Sequence, residues 1–288
     1  MRVINKSLSD AAKVTEAWET FLHDKYSNKK DTDNFRDYSK ADDEQPTVTA
    51  FYKENHEKQT LQHVLEKKKL YESLTHGEMG IWEALELMNG LVDESDPDTS
   101  LTQIAHALQS AEAARRDGQP RWMILTALIH DLGKYLFFLG EPQWTVVGDT
   151  FPVGCEYSDK IVYSGFFKNN PDFNNSVYST RYGIYTPHCG LDKLHMSYGH
   201  DEYLYHVCKN YLPEEALYIL RFHSCYAFHT ENQYHWLMTE HDQDMMKWVK
   251  IFNQYDLYSK DEAEPDVEAL KPYYEELINE YFPAKIKW

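Results

Sequence analysis

The strongest local signal in the sequence lies in the stretch WMILTALIHDLGK, residues 122–134. Met123, Ala127 and His130 lie at helical spacing on one apolar face, and Asp131 follows at the end of that helix. A His–Asp pair in such a place can bind two metal ions, because the imidazole reaches one ion while the carboxylate bridges to the other. The stretch therefore predicts a buried helix that ends at a metal site.

Three other predicted helices carry a possible metal ligand on an apolar face. These are His200 before Leu204 and Val207, His223 after Ala216 and Leu220, and Asp256 after Met245, Val249 and Phe252. A carboxylate that faces a core costs several kcal/mol unless it is paired, so Asp256 needs a cation such as a metal ion. Any one of the histidines alone is better interpreted as a hydrogen-bonded core residue. Together they favour a site for iron, manganese or zinc.

Helical patterns also cover the flanking segments. Thr47 to Ser73 contains no Gly or Pro and many helix formers, which predicts one long helix. Another helix follows Ser100, a candidate N-cap, and ends near Gly118. The sequence therefore predicts a mainly α fold, a helical bundle around the metal site.

Residues 141–199 differ in composition, with aromatic residues, Gly, Asn and Pro in short runs. This pattern predicts irregular loops and at most a short strand pair, near 145–147 or 161–163. No linker divides the chain, so we expect a single domain over residues 47–288. The polar composition before it predicts that residues 1–46 form an N-terminal arm rather than a packed element.

Composition and charge exclude several classes of partner. The formal net charge of -18 and the isoelectric point near 5.1 argue against nucleic acid, whose binding depends on Lys and Arg. The 4 cysteines are widely spaced, without a CxxC pair, as expected for reduced thiols. The N-terminus lacks a signal peptide, and no stretch approaches the roughly 18 apolar residues that span a bilayer. We expect a cytoplasmic monomer without a membrane partner.

A set of short motifs, in order along the chain, resembles a known family. They are DESDPD at 93–98, HA at 106–107, HDLGK at 130–134, GEPQW at 140–144, VGDTFPVGC at 147–155, PHCGL at 187–191, GHDEY at 199–203, RFHS at 221–224 and FNQYDLYSK at 252–260. The order of the His and Asp residues resembles the HD-domain superfamily, helical bundles around one or two metals. The longer motifs resemble the myo-inositol oxygenase family within it, from about Phe35 to Trp288.

The resemblance implies a di-iron site with a mixed-valent Fe(II)/Fe(III) active state. By position, the implied ligands are His106, His130 and Asp256 for one iron, His200 and His223 for the other, and Asp131 as the bridge between them. The second iron would keep open positions for two neighbouring hydroxyls of inositol, while O2 would bind the first. Open positions of this kind are a general requirement of catalytic metal sites.

The resemblance also implies a set of substrate contacts. They are Arg36, Asp93, Ser95, Lys134, Gly148, Asp149, His223, Ser224 and Lys260. A ring with many hydroxyls needs convergent donors and acceptors, which this set supplies. Lys134 is the implied catalytic residue, which would polarise the hydroxyl at the carbon that reacts. Arg36 lies in the polar arm, so part of residues 1–46 would act as a substrate lid.

The implied reaction is the cleavage of myo-inositol by O2 to D-glucuronate. From the residues alone, a metal-dependent phosphohydrolase of the HD-domain type fits a two-metal His/Asp site equally well. A metal-binding protein without catalysis is a third interpretation. Simpler interpretations also exist for Lys134 and Lys260, as solvated lysines at helix ends, and for Gly148 and Asp149, as a turn.

Overall fold

Helices form most of the regular structure in the computed structural model, which describes residues 46–91, 102–258 and 265–288. The strands within these ranges are β1 (Glu78–Met79) and β2 (Ile286–Lys287), which form one antiparallel pair. The prediction of a mainly α fold with at most a short strand pair is therefore confirmed.

The helix bounds follow the chain order. The α-helices are α1 (Pro46–Lys58), α2 (Leu61–Tyr71), α3 (Ile81–Met88), α4 (Gln103–Arg116), α5 (Arg121–Ile129), α6 (Gln143–Val146), α7 (His200–Cys208), α8 (Glu214–Phe222), α9 (Tyr226–His229), α10 (Glu240–Tyr258) and α11 (Val267–Tyr281). The described residues also form 3₁₀ helices at Leu132–Leu139, Ser164–Asn169, Leu191–Lys193 and His235–Leu237.

Helix α5 is the central helix of the core. Residues 123–129 are all buried, so α5 is enclosed on every side, and α4, α8, α10 and α11 pack around it. Each large apolar side chain that is removed from water in this way contributes about 1.5–3 kcal/mol. Because α5 cannot turn a polar face to solvent, the polar residues at its end must find partners inside the protein.

The segment Arg121–Leu139, which consists of α5 and the following 3₁₀ helix, is long and apolar enough to cross a membrane by length and composition alone. However, 72% of its most apolar window is buried inside the protein. The segment also contains Asp131 and Lys134, which form an ion pair in the interior. Its apolar character is therefore accounted for by core packing.

The prediction of a single long helix over residues 47–73 is wrong, because the helix is interrupted between α1 and α2. Thr60 caps α2 by accepting a hydrogen bond from the backbone N–H of His63. Gln59 is buried, and its side-chain amide bonds both the N–H and the C=O of Tyr198. The break therefore satisfies the backbone of a distant loop, which local helix propensity cannot anticipate.

The predicted positions of the strand pair are also wrong. Residues 145–147 lie at the end of α6, and residues 161–163 form turns. The observed pair instead joins β1 to the C-terminal β2, and Trp288 closes it with a backbone bond from its N–H to the carbonyl of Gly77. The helix predicted after Ser100 begins at Gln103, behind the N-cap Thr102, while Ser100 lies outside the described residues.

Candidate metal centre

Asp131 lies at the junction between α5 and the 3₁₀ helix Leu132–Leu139, and its two oxygens face two separate pairs of histidines. Oδ2 is 3.5 Å from His130 Nε2 and 4.0 Å from His106 Nε2. Oδ1 is 3.4 Å from His200 Nε2 and 3.9 Å from His223 Nε2. The carboxylate thus lies between the two pairs and faces both of them.

Asp256, on the buried face of α10, completes the first pair. Its Oδ1 is 3.0 Å from His106 Nε2 and 3.5 Å from His130 Nε2. His130 Nε2 is buried and has no hydrogen-bond partner. A buried polar atom without a partner is costly, so this nitrogen is arranged for a ligand that accepts its lone pair. A metal ion between the two imidazoles and the carboxylates would satisfy it.

Backbone carbonyls orient the imidazoles. Nδ1 of His130 lies 2.9 Å from the carbonyl of Ala127, and Nδ1 of His200 lies 2.8 Å from the carbonyl of Val146. Since a carbonyl only accepts hydrogen bonds, each Nδ1 carries the hydrogen, and in the neutral ring each Nε2 keeps its lone pair towards the centre. Metal-binding histidines show this arrangement, because the second nitrogen fixes tautomer and ring orientation.

The pKa values show how strongly the charged groups depend on one another. Burial lowers the pKa of His130, but Asp131 and Asp256 outweigh it and raise that pKa to about 9. Burial raises the pKa of Asp131, yet Lys134 and His130 hold it well below its usual value. The carboxylates therefore require positive charge nearby, which either protonated histidines or metal cations supply.

The donor set fits two metal ions that share one carboxylate. Two groups of ligand atoms, each within 4.8 Å of one another, are His106, His130 and Asp131, and Asp131, His200 and His223. Asp131 belongs to both groups, and four of these five residues are buried. Imidazole and carboxylate oxygen together suit iron, manganese and zinc.

Lys134 is held beside this centre. Its Nζ is 3.0 Å from Asp131 Oδ2 and donates to Gln103 Oε1 at 3.1 Å. The side chain is buried, so the interpretation as a solvated lysine at a helix end is wrong. An ammonium group beside the shared carboxylate can donate hydrogen bonds to a ligand at the centre.

Gly133 allows the two halves of the site to approach each other. A Cβ atom at Gly133 would lie 2.0 Å from the backbone oxygen of His200. Any larger residue would separate the 3₁₀ helix from α7. The glycine of HDLGK thus permits Asp131, on one side of this contact, to reach His200 on the other.

The loop that carries Gly148 and Asp149 lies against Ser224. The backbone N–H of Thr150 donates to the carbonyl of Ser224 at 3.0 Å, and Tyr52 donates its hydroxyl to Asp149 Oδ1 at 3.1 Å. Gly148 has φ +90°, and a Cβ atom there would be 2.7 Å from Phe51.

The residues of the predicted site that fall outside the described ranges are Arg36, Asp93, Ser95 and Lys260, together with the arm up to residue 45.

Two side chains that touch this centre were not predicted from the sequence. Asp201 Oδ1 lies 2.9 Å from His200 Nε2 and 3.6 Å from His223 Nε2, and Gln103 accepts from Lys134. Asp201 had a visible signal, because His200–Asp201 repeats the His–Asp dipeptide of the first motif. Gln103 had none, since a glutamine in a first helical turn is usually solvated.

Glu72, Glu202 and His206 form another cluster with metal-like spacing. Glu202 is buried, but it already receives hydrogen bonds from Lys68 at 2.6 Å and from Arg221 at 2.7 Å. These cations occupy the space beside the carboxylate. The cluster is therefore an ion-pair network rather than a second metal site.

Comparison with known proteins gives a consistent result. The family model for myo-inositol oxygenase matches residues 45–288. Inositol oxygenase 1 from Arabidopsis thaliana is 51% identical over 261 residues, which are 88% of this chain and 84% of that protein. The inositol oxygenases of Dictyostelium discoideum and Mus musculus are 48% and 45% identical, each over 90% of this chain and over 91% and 92% of their own lengths.

Proposed function

Because the chain belongs to the myo-inositol oxygenase family, as its motifs predicted, we propose that it uses O2 to cleave the ring of myo-inositol and releases D-glucuronate. The relatives that it matches are named inositol oxygenases, and the matched segment contains the whole His/Asp cluster. That the protein works as a cytoplasmic monomer stays a prediction.

The metal is proposed to be iron, two ions per chain, in a mixed-valent Fe(II)/Fe(III) active state. The residues that would hold one ion are His106, His130 and Asp256, and those for the other are His200 and His223, with Asp131 between them. The single observation that carries the proposal is the position of Asp131, whose two oxygens face the two histidine pairs separately. When bound, iron supplies the activation of O2 and a Lewis acid for the hydroxyls of the substrate.

The remaining residues of the site would bind and orient a polyol. Lys134 would donate a hydrogen bond to a substrate hydroxyl and thereby stabilise negative charge that develops on its oxygen. Asp149 and Ser224 would fix the orientation of the ring, because each oxygen that accepts a hydrogen bond from a substrate hydroxyl excludes an alternative pose. These contacts decide which carbon faces the metals.

Burial of the cluster would protect the reaction. The side chains of His130, His200 and His223 are 1%, 4% and 3% exposed. Water has little access to their side of the centre, which limits unproductive reaction of activated oxygen with solvent. We propose that part of residues 1–46, including Arg36, covers the opposite side as a lid.

The test is the consumption of O2 by anaerobically purified, iron-loaded protein when myo-inositol is added. We expect one glucuronate for each O2. Protein loaded with zinc is the matched control, because zinc binds similar ligands but has no redox chemistry, and it should consume no O2. Protein that holds two irons and neither consumes O2 nor forms glucuronate would overturn the proposal. Hydrolysis of p-nitrophenyl phosphate by the manganese-loaded protein would instead support the phosphohydrolase.

A further inference from the structure

Asp201 is a buried carboxylate beside the second histidine pair, with its Oδ1 2.9 Å from His200 Nε2, and the proposed reaction gives it no role. It follows His200 on α7 and is 1% exposed. Both of its oxygens accept hydrogen bonds from Ser224: Oδ1 from the hydroxyl at 2.9 Å and Oδ2 from the backbone N–H at 3.1 Å. These donors help to compensate the cost of burying the charge.

The contact fixes the direction of the Ser224 hydroxyl. A hydroxyl has one proton and two lone pairs. Because the hydroxyl donates its hydrogen bond to Asp201, the lone pairs of Ser224 Oγ point away from that carboxylate. His200 Nε2, 3.3 Å from Ser224 Oγ, lies on the same side as Asp201, whose Oδ1 is 2.9 Å from that nitrogen. The lone pairs are therefore free to accept a hydrogen bond from a hydroxyl of a ligand at the centre.

We infer that Asp201 is a positioning residue, which holds Ser224 as a hydrogen-bond acceptor for one hydroxyl of the bound polyol. The inference rests on the proposed function, since it assumes inositol at this centre. It adds a directional requirement for recognition: the substrate group opposite Ser224 must donate a hydrogen bond and cannot merely accept one.

The substitution Asp201→Asn tests the direction with almost no change in volume. A backbone N–H can only donate, so the remaining carbonyl oxygen of Asn has to face Ser224 N. The new NH2 group then faces Ser224 Oγ and donates to it. As a result, the hydroxyl hydrogen of Ser224 turns away from residue 201 and towards the substrate. There it opposes the hydrogen of the substrate hydroxyl that would otherwise donate to Ser224 Oγ.

A double-mutant cycle separates positioning from a general structural effect. In the iron-loaded protein, Asp201→Asn should raise the dissociation constant of myo-inositol, measured by calorimetry without O2, about tenfold, the effect of one lost hydrogen bond. Ser224→Ala should have a similar effect, and the double variant should equal Ser224→Ala alone. Iron content should remain two per chain in all of them.

Asp242→Asn is the matched control. Asp242 is also buried and also accepts both the backbone N–H and the hydroxyl of one residue, Thr239, at 2.7 Å, although with a single oxygen, Oδ2. It lies in the first turn of α10, about 21 Å along that helix from Asp256. Its substitution should lower the melting temperature but leave inositol affinity unchanged.

Substrate analogues test the inference without any variant. A deoxyfluoro inositol with fluorine in place of the hydroxyl opposite Ser224 can accept a hydrogen bond there but cannot donate one. It should therefore bind as weakly as the analogue that lacks this hydroxyl. Suppose that at one ring position the deoxy analogue binds more weakly than inositol while the deoxyfluoro analogue does not, and that Ser224→Ala abolishes this difference. Ser224 would then donate the hydrogen bond, and the inference would be wrong.

Loss of iron in Asp201→Asn, or additive effects of the two substitutions in the double-mutant cycle, would also overturn the inference. Failure of the unsubstituted, iron-loaded protein to bind inositol would overturn the proposed function itself.

Discussion

Lys134 lies directly above Asp131, one turn along the 3₁₀ helix, with its Nζ 3.0 Å from Asp131 Oδ2. Residues separated by three positions are eclipsed in a 3₁₀ helix, whereas in an α-helix they are offset. The change of helix type after Ile129 therefore places the shared carboxylate and the buried ammonium on the same side of the chain.

Replacing this ammonium should separate binding of metal from turnover. In Lys134→Met, we expect two irons per chain but a kcat lower by roughly 10²- to 10⁴-fold, since a positioned proton donor is lost. Iron analysis and steady-state oxygen uptake measure the two effects. Lys67→Met is the control, because Lys67 is also partly buried and paired, with Glu141 at 2.6 Å, but lies outside the site. An unchanged kcat in Lys134→Met would remove this lysine from the chemistry.

The two aspartates should differ in the number of metals that they control. Asp131 faces both histidine pairs, while the ion pairs of Asp256 join it to His106 and His130. We therefore expect Asp131→Asn to lose both irons and Asp256→Asn to retain about one, as measured by elemental analysis of folded protein. Two irons in Asp131→Asn would contradict the shared-ligand assignment.

Gly133→Ala should disturb the site through the backbone. The added Cβ would lie 2.0 Å from the carbonyl oxygen of His200, so the 3₁₀ helix and α7 have to move apart. Overpacking of this kind costs about 1–3 kcal/mol or more, and it should also lower iron content. Gly165→Ala is the control, because a Cβ there meets nothing within 4 Å. Equal melting temperatures and iron contents for the two variants would contradict the close approach.

The Glu202 ion pairs should make stability depend on acid. Burial raises the pKa of Glu202, but Arg221, His206 and Lys68 outweigh it and hold the pKa well below 4.5. Because the folded-state value is the lower one, its contribution is complete above about pH 4.5 and is lost as the pH falls further.

Glu202→Gln should therefore destabilise the protein by about 3–5 kcal/mol at pH 7, where Arg221 is left unpaired. The difference from the unsubstituted protein should narrow below pH 4.5. Urea denaturation of both proteins at pH 7 and pH 4 measures it, and acid effects on the metal centre cancel in the comparison. A difference that stays constant over this range would show that the carboxylate charge is not the cause.

Periodicity was sufficient for the parts of the fold that local sequence encodes. The apolar stripe before Asp256 is the buried face of α10, and His130 follows a helix in which residues 123–129 are all buried, as predicted. Both follow from helical spacing alone. The roles of these residues as iron ligands come from the resemblance and stay predictions.

Long-range contacts explain what was missed. The break between α1 and α2 depends on Tyr198, which is 139 positions from Gln59. The strands β1 and β2 have two residues each, too few for an alternating pattern, and they pair across almost the whole described chain. Asp201 gains its contacts only when α7 and the turn after α8 come together.

The closing of the strand pair by Trp288 also affects when the protein can complete its folding during synthesis. This side chain is fully buried, donates from Nε1 to the carbonyl of Met79, and packs against Tyr135 on the 3₁₀ helix that carries Lys134. During synthesis, the segment around Lys134 therefore waits for residue 288 to leave the ribosome before it gains this support. Until then, a nascent chain in which every proposed ligand is already translated is expected to have a less rigid metal centre.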